Sequence, residues 1–275
     1  MIVGLLMIGG GAAAGVFGSL LGLGGGVLIV PLLTLGFGLP LREAVGVSLV
    51  CVIMTSSAAA GVYLERHVAN LRLGMTLELF TALGALIGGS IAFLLDERFL
   101  ALLFAGLLCY VAFTMARVRP AAALADPSAD PSPVRADPAS RPTVLDRLSG
   151  DDYHIRNLGR GVVGATGAGV ASALLGIGGG TVKVPLMHLT MGVPLRVATA
   201  TSNLMIGITA AASTVIYVIH GGIDPYVAGP TAIGVFLGAT AGSRLSHRVD
   251  LRLLRVLFVI VLAYTALQML LRVVG

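Results

Sequence analysis

Three consecutive glycines, Gly24, Gly25 and Gly26, interrupt one long apolar run, and Gly178, Gly179 and Gly180 interrupt another. In each case a proline, Pro31 or Pro185, follows five residues after the last glycine. In a helix interior Gly costs about 1 kcal/mol relative to Ala, and Pro about 3. Apolar helices that carry both, twice and in register, are expected to break there. The backbone N–H and C=O groups freed by a break are tolerated at membrane depth only inside protein or beside water. They are candidate ligands for a solute, and the half-helices starting after Gly26 and Gly180 turn their N-terminal dipoles towards an anion. Lys183, the only lysine of the chain, stands three residues beyond Gly180, where the first run has Ile29. A lysine at the centre of a membrane helix costs at least about 2.5 kcal/mol. It is therefore the candidate positive charge for that anion, with snorkelling to an interface as the alternative. His188 could help bind the anion or carry a proton, or be a satisfied structural histidine.

The helix after each break carries hydroxyls on one face: Ser48 and Thr55 in the first half, Ser202, Thr209 and Ser213 in the second, with Asn203 beside Ser202. Such groups either bind solute or hydrogen-bond between helices. The candidate substrate-binding set is thus Gly24, Gly25, Gly26, Ser48, Gly178, Gly179, Gly180, Lys183, His188, Ser202 and Asn203. Glu78 lies near one end of its apolar segment and is expected to be an interfacial carboxylate rather than a proton relay. No carboxylate stands in either glycine motif, which argues against acid-based proton coupling there and leaves sodium held by carbonyls open.

The elements that position these residues come in two copies. A shift of 154 residues aligns Gly15–Tyr63 with Gly169–Tyr217 without a gap, and 21 of the 49 positions are identical. The chain of 275 residues is 56% hydrophobic and 11% charged, with mean hydropathy +0.97. Soluble domains carry about 25% charged residues, so this composition belongs to an integral membrane protein. The apolar runs are continuous and far longer than the roughly 10-residue alternating strands of a barrel. The fold class expected is an all-α polytopic membrane protein, built of two homologous, inverted repeats with Gly-broken re-entrant or short helices. Residues 1–118 form the first repeat and 158–275 the second. Residues 119–157, rich in Pro, Asp, Ser and Ala, read as a disordered cytoplasmic linker with a short helix near Val144–Leu148. The segment after Met1 has no basic leader region and is expected to be retained. Gly84-xxx-Gly88, and Gly234, Gly238 and Gly242, have the spacing that lets membrane helices approach closely. Cys51 and Cys109 lie in apolar runs and read as small buried hydrophobes.

Arginine placement separates two topologies. If each broken segment crosses once, the halves are parallel and 17 arginines divide ten against seven. If each makes no net crossing, the halves are inverted and the arginines divide fourteen against three, with only Arg42, Arg98 and Arg272 opposite the linker. The second division is what the positive-inside rule expects. In a membrane protein the net charge of +5 reports topology, so no nucleic-acid partner is implied.

The paired LGxGGGxxxVPxL motifs, each followed by a GxP turn and a small-residue helix, resemble the TauE/SafE sulfite exporter family (TSUP). The resemblance covers both halves, although the linker is longer and more polar than the family leads one to expect. It implies a multi-pass transporter in the cell (plasma or inner) membrane for sulfite, organosulfonates or related small organic anions. Export is the expected direction. Membrane lipid is the other implied partner, and the coupling ion (proton or sodium) and a homodimer stay open. No enzyme motif, metal-ligand spacing, nucleotide-binding loop or cofactor site is evident. The competing reading is an anion-selective channel or facilitator.

Overall fold

The computed structural model describes residues 2–21, 25–65, 69–117, 155–245 and 251–274. Among the described residues, ten α-helices follow the same order twice. The first half contains α1 (Ile2–Leu21), α2 (Gly26–Pro31), α3 (Leu41–Glu65), α4 (Leu71–Leu94) and α5 (Glu97–Arg117). The second contains α6 (Leu158–Leu175), α7 (Gly180–Pro185), α8 (Leu195–Ile219), α9 (Pro225–Leu245) and α10 (Leu251–Val274). Among the described residues, six helices are long and apolar enough to cross a membrane: α1, α3, α4, α5, α6 and α8. Large apolar side chains such as Leu5, Leu79, Leu94, Phe113, Val163 and Ile260 are exposed on the outside. In water such a surface would be a liability; against lipid tails it is the expected exterior. Cys51 is buried as expected, but Cys109 is exposed. It lies on α5, whose outer side is apolar and suits lipid, so its apolar neighbours did not imply burial. The linker up to residue 154, its short helix near Val144–Leu148 and Gly24 lie outside the described residues.

The breaks are built identically. Pro31 and Pro185 close the six-residue helices α2 and α7, and five residues of π-helix follow each, Leu32–Gly36 and Leu186–Thr190. Proline removes a donor and crowds the preceding turn, which a locally widened turn relieves. The same bond closes each element, from Leu39 N to the Leu33 carbonyl (3.1 Å) and from Val193 N to the Met187 carbonyl (3.0 Å). After its break the second segment returns along α6. Leu186 lies against Gly164 and Met191 against Gly161, and the Met191 carbonyl accepts from Arg156 N at 3.0 Å, just before α6 begins.

Each half is closed by the other. Helix α1 packs on α9, and α6 packs on α4. The Gly84 and Gly88 positions face the carbonyls of Thr166 and Val170, and Gly234 and Gly238 face those of Ile8 and Ala12. A Cβ at any of them would strike backbone, so the small-residue spacing serves helix contact. Helices α3 and α8 run antiparallel: Gly46 lies against Gly222, past the end of α8, while Ser56 Oγ donates to the Asn203 carbonyl near its start. Helices α4 and α8 run the same way. Asn70 N donates to Thr201 Oγ1 (2.9 Å) near their beginnings, and Phe93 stacks on His220 near their ends.

Candidate functional site

Gly25 and Gly179 are the residues before α2 and α7, and both hold left-handed backbone, φ 74° and 75°. Their carbonyls accept the first bonds of the short helices, from Ile29 N and Lys183 N respectively. A non-Gly L-residue pays roughly 1–2 kcal/mol for that conformation, so glycine here sets where each half-helix starts. The two breaks meet at the centre of the molecule. A Cβ on Gly26 would lie 2.5 Å from the Gly176 carbonyl oxygen and 3.1 Å from Ile177 Cα. Ser48 Oγ sits between the breaks, 2.7 Å from the Gly176 oxygen and 3.3 Å from the Gly26 oxygen. Its hydroxyl therefore donates to the Gly176 carbonyl, which the end of α6 leaves without an intrahelical partner. Gly178 is wedged between the side chains of Val52 and Ile206.

The charged chemistry is gathered at the second break only. Lys183 is 1% exposed and Glu78, from α4, 3% exposed. Lys183 Nζ donates to Glu78 Oε2 at 3.2 Å and to Thr209 Oγ1 at 2.5 Å, and Thr209 Oγ1 donates to Glu78 Oε1 at 2.6 Å. The three side chains close a ring of hydrogen bonds across α4, α7 and α8. Burial in a low dielectric makes such a pair costly unless geometry and hydrogen bonds are good. Here one carboxylate oxygen takes the ammonium and the other takes a hydroxyl, so both are satisfied. These contacts account for two of the three ammonium donors.

Two polar atoms without a partner lie at the same break, on Ser172 and Ser202. Among the described residues, the buried hydroxyl oxygens of Ser172, Thr181 and Ser202 have no hydrogen-bond partner. Ser172 lies against Gly179, with its Cβ 3.3 Å from where a Gly179 Cβ would be; Lys183 Cε is 3.4 Å from the same point. Ser202 Oγ is 3.8 Å from the corresponding point on Gly180. An unpaired buried hydroxyl costs about 1–3 kcal/mol, and those of Ser172 and Ser202, beside Gly179 and Gly180, make a site suited to a polar solute.

The structure thus brings together Gly179, Gly180, Lys183 and Ser202 of the expected set. Ser48, Gly26 and Gly178 lie between the halves, where their roles in packing and in satisfying backbone are evident. Asn203 is buried, and its carbonyl accepts from Ser56 Oγ. His188 lies apart: it is exposed on the π-helical turn, with Nδ1 2.9 Å from the Val193 carbonyl oxygen. The expectation for Glu78 is overturned. It is buried because α4 packs against α6 and α8, which turns that face of the helix inward. Sequence reasoning also passed over Ser172. The 154-residue shift held the missing signal, since it pairs Gly84 and Gly88 with Gly238 and Gly242, and hence Glu78 with Ala232. The equivalents of Lys183 and Glu78 are Ile29 and Ala232, both buried. The two charges are present together in one place and absent together in the other.

Broken helices joined at the centre of a bundle of apolar helices define a multi-pass α-helical membrane protein with a polar interior site. The chain belongs to the sulfite exporter TauE/SafE family, whose model matches residues 7–269. It is 25% identical over 269 residues to the protein named "Probable membrane transporter protein YunE" of Bacillus subtilis (strain 168), covering 94% of each chain. It is 29% identical over 245 residues to a "Probable membrane transporter protein" of Xylella fastidiosa (strain 9a5c), covering 89% of this chain and 85% of the relative. To the MamO protein of Paramagnetospirillum magneticum it is 29% identical over 302 residues, covering 98% of this chain but 44% of that one. No solved structure matches. Family and relatives mark this chain as a membrane transporter for a small molecule, not an enzyme.

Proposed function

We propose that the protein is a secondary transporter of a small anion, of the sulfite, organosulfonate or small organic acid class, acting as an exporter in the plasma or inner membrane. The observation that carries this reading is the buried Lys183 ammonium at a glycine break that also holds the unpartnered hydroxyls of Ser172 and Ser202. An ammonium donor with hydroxyl donors at the same break suits the several acceptor oxygens of a sulfonate or carboxylate. Ser202 and Ser172 supply the neutral donors beside Gly180 and Gly179.

The two halves are inverted repeats in this reading, with each broken segment re-entering on the side it left. The antiparallel run of α3 against its repeat equivalent α8 supports the inversion, as does the fourteen-to-three division of arginines. The return of the second broken segment to Arg156 supports re-entry. A reporter inserted near Asp130 is then cytoplasmic and one fused after Gly275 is external. A cytoplasmic reporter after Gly275 refutes the inversion.

The function is tested by uptake into proteoliposomes across a panel of sulfite, methanesulfonate and lactate. A transporter gives saturable flux of at least one of them, whereas flux that rises linearly with concentration and reverses at the ion's equilibrium potential indicates a channel. Absence of flux for all three in folded protein rejects the reading.

A further inference from the structure

Among the described residues, charge is buried in one place. The buried charged side chains there are Glu78 and Lys183. The groups that meet them from neighbouring elements are neutral: α8 brings Thr209 onto the pair and Ser202 to Gly180, and α6 brings Ser172 to Gly179. Arg72 on α4, Arg160 on α6, His188 after α7 and His220 after α8 are all exposed. The pair is therefore a closed, neutral unit, and an anion entering beside Lys183 alters its balance. With Glu78 ionised, the occupied site would hold two negative charges and one positive. An uncompensated buried charge is so costly that groups change protonation state instead. Thr209 links the two side chains, so the ammonium cannot turn to a new acceptor without disturbing the carboxylate's bonds.

We propose that Glu78 is the proton-coupling residue of this transporter: the anion displaces the Glu78 carboxylate from Lys183, and Glu78 takes up one proton as the anion binds. The step balances. Before binding, the Lys183 ammonium and the Glu78 carboxylate sum to zero. Afterwards a monovalent anion, the ammonium and a neutral Glu78 carboxylic acid sum to zero again. No covalent bond forms except the O–H of the acid, whose proton comes from water on the open side. On release the anion leaves, the proton leaves with it, and the ion pair closes again. Transport of a monovalent anion is thus electroneutral, with one proton moving in the same direction. The repeat equivalents agree with this logic, because Ile29 and Ala232 lack both charges rather than one. Proton coupling is the reverse of what the glycine motifs alone suggest, since the carboxylate arrives from α4, 105 residues from the lysine.

This inference rests on the anion-transport reading, and the test separates the two. Methanesulfonate and lactate keep a fixed charge between pH 6 and 9, so any proton exchanged on binding belongs to the protein. Calorimetric titration of the purified full chain, in buffers of different ionisation enthalpy, counts protons taken up per anion bound. Wild type is expected to take up about one, and its affinity to fall about tenfold per pH unit where free Glu78 is ionised. Glu78→Gln is expected to take up none and to bind with an affinity independent of pH; Glu78→Asp retains the proton count. In proteoliposomes, wild-type uptake should carry protons inward and ignore an imposed membrane potential. Anion binding to wild type with no proton uptake overturns the coupling role and leaves anion transport standing. So does a Glu78→Gln variant that keeps the wild-type proton count. If folded wild type binds neither of these anions nor sulfite, the anion reading fails and the inference fails with it. Should Glu78→Gln not fold, the wild-type count and Glu78→Asp still decide.

Discussion

The internal repeat supplies its own control. Replacing each charged residue by its repeat equivalent, Glu78→Ala with Lys183→Ile, turns the charged ring into the apolar arrangement that Ala232 and Ile29 already occupy. Lys183 and Glu78 are 1% and 3% exposed, so removing either one alone strands the other without solvent. Breaking a buried pair in this way costs about 3–5 kcal/mol, whereas replacing both members by packed apolar groups is often neutral or favourable. Each single substitution is therefore expected to lose about 3–5 kcal/mol. The double substitution should return to within about 1 kcal/mol of wild type, leaving a large coupling energy in the cycle. Reversible unfolding in mixed detergent–SDS micelles, followed by helical circular dichroism, measures all four corners. The double variant should be folded yet transport-dead. Single variants as stable as wild type, or a double variant whose loss is the sum of the singles, would refute a buried, mutually dependent pair.

Two further contrasts follow from the same contacts. Ser202→Ala removes a hydroxyl with no partner among the described residues, so stability should hold while anion affinity falls roughly 2- to 10-fold, the range of one neutral hydrogen bond. Ser48→Ala should do the opposite, losing about 1–3 kcal/mol of stability by leaving the Gly176 carbonyl unsatisfied; binding isotherms beside unfolding curves distinguish the two. Gly26→Ala places a Cβ against backbone of the other half and should prevent stable assembly, whereas Gly106, with open space around it, should accept Ala and gain up to about 1 kcal/mol. Size-exclusion profiles after heating report both.

Much of the architecture was legible because it is written twice. The glycine triplets, the prolines and the small-residue spacing on α4 and α9 each mark a backbone requirement that recurs at the same shift. Such features act locally or through a helix face, and periodicity exposes them. The charged site was half legible. Lys183 stood out as a lone cation in an apolar run, but its partner is on another helix, and position in a segment does not give depth or rotation. Glu78 looks interfacial when counted from Leu71; only the packing of α4 on α6 and α8 turns it inward. The same limit hid Ser172 and misjudged Cys109, whose surroundings depend on which helix covers which face.

Counterflow tests the central claim most directly. Proteoliposomes loaded with unlabelled anion, diluted into a trace of the same labelled anion, should accumulate label transiently above its equilibrium level. The overshoot should disappear in the folded Glu78→Ala, Lys183→Ile double variant. Label that only equilibrates in wild type, or an overshoot undiminished in the double variant, would contradict a carrier working through this site.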